Sequence, residues 1–158
     1  MCRHGLNRRS FLGLVPGLAM AASGCGGPAT GPGEVRWGRE NCDYCGMIID
    51  DPKFAAQVRG GPNRKLHKFD DLGDGVLWLA KQPWADDPAT EFWVGNVETG
   101  KWIDGRTAFY ISGRKSPMGH GYGAVSDKRE GALDFAQLKA VVHSTSRCET
   151  SQSAEAPR

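Results

Sequence analysis

No acidic residue precedes Glu34, although Arg3, Arg8 and Arg9 all lie in that stretch. The one apolar segment there, residues 11–22, is shorter than the about 20 residues a helix needs to cross a bilayer. It therefore cannot serve as a membrane span. No basic patch with interleaved aromatics occurs, which argues against nucleic acid as a partner. The glycine-rich run at residues 119–123 is not followed by Gly-Lys-Ser/Thr, so it is not a nucleotide-binding P-loop. Sulfur is scarce: 5 cysteines and 4 methionines in 158 residues. Where those few sulfurs fall is the most informative feature of the chain.

A basic start, a short apolar segment and small residues at Ala22-Ser23-Gly24 describe a secretory signal peptide. Asn7-Arg8-Arg9-Ser10-Phe11-Leu12 looks like a twin-arginine export address. The small residues running into Cys25 look like a lipobox, in which that cysteine is lipidated and becomes the first mature residue. The expected organisation is a signal over residues 1–24, and a lipidated Cys25 with a Gly/Pro tether over 25–34. One folded domain is expected over 35–143, then a Ser/Thr/Glu/Ala-rich tail over 144–158 whose composition points to disorder. The protein is expected on the periplasmic side of a bacterial membrane, held by its lipid. The leader carries off three of the 20 basic residues, leaving them just outnumbered by the 18 acidic ones. The whole-chain charge of +2 thus carries no functional message.

Within the domain, residues 35–38 read as a short strand. Residues 54–59 and 65–69 read as a hairpin around Gly60-Gly61-Pro62-Asn63. A helix should begin at Asp71 as N-cap, with Asp74 three residues on and Leu72, Val76 and Leu79 on one face. It should end before Pro83. A second hairpin is expected from residues 92–97 and 101–104, and another strand over 108–111. A last helix should start near Asp127 and Glu130, a capping-box-like pair, and present Phe135, Leu138 and Val142. The reading is α+β, with antiparallel sheets and two packed helices.

Cys42-Asp43-Tyr44-Cys45-Gly46-Met47 places two thiols at CxxC spacing and a thioether two residues beyond. Soft thiolate and thioether ligands together select Cu(I), and zinc sites rarely use methionine. Gly46 frees the backbone to turn the sulfurs to one side. A second cluster, Ser116-Pro117-Met118-Gly119-His120, puts a thioether and an imidazole in a glycine-rich loop. Three other readings of the cysteines stand beside copper. They are a structural disulfide, half of a zinc site with His67 and one more ligand, and a thiol–disulfide redox pair. The redox reading lacks the βαβ context such a pair needs. Asp70 and Asp71 either orient a ligand or cap the helix, and the cap is the simpler role. His67 and His143 read as structural, and Cys148 as a spare thiol.

Four segments in order resemble the NosL family, lipoprotein accessory factors of nitrous oxide reductase. They are the CxxCGM block at 42–47, His67-Lys68-Phe69-Asp70-Asp71, Thr99-Gly100-Lys101-Trp102-Ile103-Asp104, and Pro117-Met118-Gly119. The resemblance implies two small ββαβ-type halves, similar to an organomercurial lyase subdomain. It implies delivery of Cu(I) to the reductase in the periplasm, with no catalysis and no small-molecule substrate. It implies Cys45 and Met47 as ligands, with Met118 completing the site; Cys42 and His120 join the candidates on their chemistry alone. His120 departs from the family, where an aromatic is commoner, and so does Asp74-Gly75, where a larger or sulfur-bearing residue is frequent.

Overall fold

The computed structural model describes residues 29–154, and side chains as far as residue 145. The leader and Cys25 lie outside the described residues. Among those described, no helix is long and apolar enough to cross a membrane.

The first hairpin forms as its turn signal requires. Strands β1 (Ala56–Gly60) and β2 (Lys65–Phe69) pair antiparallel, with Val58 opposite His67. Helix α1 (Leu72–Leu79) comes at once after β2. Asp71 caps it, its carboxylate accepting from the Gly73 N–H at 2.9 Å. Strand β3 (Glu91–Gly95) then returns beside β1, and β4 (Trp102–Asp104) folds back on β3. The result is a four-stranded antiparallel sheet of order β2-β1-β3-β4. A smaller sheet pairs β5 (Phe109–Ile111) with β6 (Gly123–Val125). Helix α2 (Phe135–Ala154) closes the fold. The architecture is α+β, as expected.

The first half, β1-β2-α1-β3, is a ββαβ unit. The remainder runs β4-β5-β6-α2, and its first strand belongs to the larger sheet. The reason is local. The turn at 96–100 is closed by Gly100 N–H to Asn96 C=O at 2.7 Å, which keeps β4 antiparallel to β3. Strand β6 was not anticipated, because the glycines before it mask a three-residue strand.

Three expectations need correction. Residues 35–38 form no strand: Val35 is buried in the core, and Gly38 N–H donates to Ile49 C=O at 2.8 Å, tying the segment to the far end of the cysteine loop. Helix α2 starts at Phe135 rather than near Asp127. Its cap is Asp134, whose carboxylate accepts from Gln137 N–H at 2.8 Å while the Gln137 side chain accepts from Asp134 N–H at 2.9 Å. This is the reciprocal capping box, one turn and more downstream of the pair read from the sequence. Its helical backbone continues to Ala154, into the stretch whose composition points to disorder, with no glycine or proline to break it. The third correction concerns residues 29–34, read as tether. They lie along the sheet, where buried Gln57 both accepts from Gly33 N–H at 2.7 Å and donates to Gly33 C=O at 2.9 Å.

The core lies between the larger sheet and the two helices. Phe69, Leu72, Val76, Phe92 and Leu138 meet there, each almost fully buried. Each such side chain stabilises the fold by roughly 1.5–3 kcal/mol. That scaffold holds the loops at 41–48 and 113–121 against the start of α1.

Candidate metal centre

The cysteine segment is a tight loop. Cys42 N–H donates to Met47 C=O at 2.7 Å, and Gly46 N–H donates back to Cys42 C=O at 3.0 Å. Closing so short a loop requires Gly46 at φ +79°, where only glycine sits without strain. Asp43 N–H to Lys68 C=O at 2.9 Å ties the loop to β2. The cysteines therefore stand beside the end of β2 and the first turn of α1, which carry Asp70 and Asp74.

There the two thiols meet two carboxylates. Cys42, Cys45, Asp70 and Asp74 each present a donor atom, all within 4.8 Å of one another. Cys45 Sγ–H donates to Asp70 Oδ1 at 3.2 Å, and Cys42 Sγ–H to Asp74 Oδ2 at 3.5 Å. Both cysteines are free thiols. Burial, the largest cause, pushes both thiols above their ordinary pKa, and the neighbouring carboxylates add to it. The two thiols are thus held in their protonated form.

Asp70, Asp71 and Asp74 are 2%, 0% and 1% exposed. Buried carboxylates are costly unless something satisfies them. Asp71 is satisfied by its cap and by Met118 N–H at 3.1 Å. Asp74 has Cys42 and, at 3.0 Å, His120 Nε2. Asp70 Oδ2 is buried with no hydrogen-bond partner. A site with an orphaned carboxylate oxygen beside two protonated thiols fits a cation that would displace those protons.

The methionines stand outside this buried set. Met47 is 51% exposed and Met118 38%, whereas Cys42 is 4% exposed. A surface cleft of about 620 Å³ is lined by Met47, Asp70, Ser116 and Pro117, so the two sulfur-bearing loops share one opening. The Asp71 contact to Met118 N–H holds the second loop there.

Of the residues singled out from the sequence, Cys42, Cys45 and Asp70 converge directly. His120 joins through Asp74. Met47 lines the cleft, and Met118 is an exposed residue next to Pro117, which also lines it. His67 stands apart: its Nδ1 is 2.8 Å from Asp43 Oδ2 and its ring lies 4.2 Å from that of Trp78, so it does not complete a zinc set with the cysteines. Nor do the cysteines open a helix, as a thioredoxin-like pair would. Asp74 was read only as a helix residue. Its departure from the family pattern was the available signal, since a carboxylate on the inner face of an apolar helix calls for a partner.

The family described as NosL matches residues 37–140, most of the chain. The chain belongs to the NosL family. A solved structure, the copper chaperone NosL from Shewanella denitrificans, superposes with a TM-score of 0.53 at 18% identity, over 72% of this chain and 87% of that one. That likeness establishes the fold. No curated protein matches.

Proposed function

We propose that this NosL-family chain is an extracytoplasmic carrier of Cu(I) that passes its ion to a copper enzyme, nitrous oxide reductase being the recipient the family points to. The carrying observation is the convergence of the Cys42 and Cys45 thiols with two buried carboxylates, beside a cleft lined by Asp70 and the exposed Met47. The Shewanella relative's description as a copper chaperone supports the same reading. Four soft donors favour Cu(I) over harder ions. The signal and lipobox features read at the N-terminus support a periplasmic, lipid-held location.

Loading would exchange two thiol protons for one cuprous ion, with no change of oxidation state. Asp70 and Asp74, already hydrogen-bonded to those thiols, are placed to relay the protons to solvent. Release needs no opening of the core. A ligand from the recipient can reach an ion at the cleft through Met47 or Met118, and bond to it before the thiolates let go. A carrier gains from such an open side, whereas a closed structural site does not.

The direct test is anaerobic Cu(I) competition against a chromophoric chelator, followed by transfer to metal-free reductase. Binding of one ion per chain and activation of the reductase are expected. Copper retained by the carrier in the presence of the apo-reductase would reject that recipient. Met47→Leu should weaken Cu(I) binding by about tenfold or more, the loss of one soft ligand. It should change stability by less than about 0.5 kcal/mol, because the side chain is half exposed. Unchanged affinity in Met47→Leu would remove Met47 from the ligand set.

A further inference from the structure

We propose that a second site, between the helices and sharing no residue with the sulfur cluster, binds a small organic anion: a carboxylate or phosphate attached to an alkyl or aryl group. A cavity of about 630 Å³ opens there, within the range of small-molecule sites. Its apolar wall is Val76 and Leu79 of α1 with Phe135 of α2. Its charged side is Arg106 and Lys139.

The two cations are what single this cavity out. Both sit over one ring: the Arg106 guanidinium carbon lies 5.8 Å, and Lys139 Nζ 5.1 Å, from the Phe135 centroid. Two like charges gathered on one ring repel each other. Among the described residues, neither makes an ion pair with a carboxylate. Asp86 is the one carboxylate in the lining, so the fixed charge there is net positive. Arg106 is also pre-set. Its Nε donates to Thr90 C=O at 3.2 Å and one Nη to Ala85 C=O at 2.9 Å, which fixes the plane of the fork. A planar, anchored guanidinium suits carboxylate or phosphate, and the apolar wall beside it suits a hydrocarbon. An anionic lipid headgroup or a free solute would present the same chemistry.

The test uses the full chain, metal-free, in calorimetric titrations with octanoate, octanol and inorganic phosphate. Octanoate should bind at least about tenfold more tightly than either control, since each control lacks one half of the recognised chemistry. Lys139→Gln and Ala140→Trp should each weaken octanoate binding by about tenfold, the first by removing a charge and the second by filling the cavity from an exposed helix position. A thermal melt of each variant confirms that it is folded. Sedimentation with phosphatidylglycerol vesicles, lost in Ala140→Trp, would assign the anion to a lipid; octanoate binding without vesicle binding would assign it to a free solute. Absence of octanoate binding, equal binding of octanol, or full binding by folded Ala140→Trp would each overturn the proposal.

Discussion

Cu(I) binding should tighten by about 10,000-fold between about pH 6 and about pH 8, after correction for the chelator's own protonation. Each thiol that must lose its proton contributes a factor of about ten per pH unit, as long as the pH stays below its pKa in the metal-free protein. Both Cys42 and Cys45 meet that condition, because burial raises them above the ordinary thiol range. Thioethers carry no proton and add nothing to the slope. A rise of only about 100-fold would mean that a single thiolate ligates, and Cys42→Ser would then leave the slope unchanged. If both ligate, Cys42→Ser halves it and Cys45→Ser does the same while weakening binding most.

The same shifts set the pH dependence of the metal-free fold. The folded thiols hold their protons where unfolded cysteine, near a pKa of about 8.5, loses them. Above that pH the folded state binds more protons than the unfolded one, so stability falls as pH rises. Metal-free protein should melt at progressively lower temperature as pH rises above about 8.5, and Cys42→Ser with Cys45→Ser should flatten that decline. A melting temperature independent of alkaline pH in the parent protein would contradict the buried, protonated state of the pair.

Gly95→Ala should be among the most damaging single substitutions in the chain. A Cβ on Gly95 would lie 1.8 Å from the Pro52 carbonyl oxygen and 3.0 Å from its carbon. Those atoms are backbone and cannot swing aside as a side chain does. Gly95 is also pinned from its other side, its N–H donating to Ala55 C=O at 2.9 Å. The alternatives are to break that bond or to push out the turn at 51–54, and the cost is about 3 kcal/mol. For a domain of this size that lowers the melting temperature by roughly 10–15 °C. The turn comes directly after the cysteine loop, and Asp51 and Phe54 line the cleft beside Met47. Copper affinity should therefore fall in the fraction that remains folded. A thermal melt within a few degrees of the parent would show that the turn yields freely.

Some features of this protein were legible in its residues because their causes are local. A turn of Gly60-Gly61-Pro62-Asn63 between two short strands makes a hairpin wherever it occurs. Asp71 caps α1 through a bond to a residue two positions away. The CxxCGM loop closes on itself through bonds spanning five residues or fewer, which brings its two thiols close together. Fold class, the sulfur-bearing segment and the family resemblance all rest on features of this kind.

What only the tertiary structure decided is which side chains meet. Asp134 with Gln137 and Asp127 with Glu130 are both capping-box candidates on spacing; Leu133 pairing with Tyr110 through backbone hydrogen bonds decides between them by keeping the preceding segment out of the helix. Asp74 reaches Cys42 across 32 residues and His120 across 46, and Asp71 reaches Met118 across 47. Contacts at such separations depend on how α1 packs against the sheet and where the loop after β5 returns. No window of sequence contains them. The motif spacing singled out candidate soft ligands, but it took the packing of one helix end against two loops to bury carboxylates beside the thiols and leave Met47 and Met118 exposed.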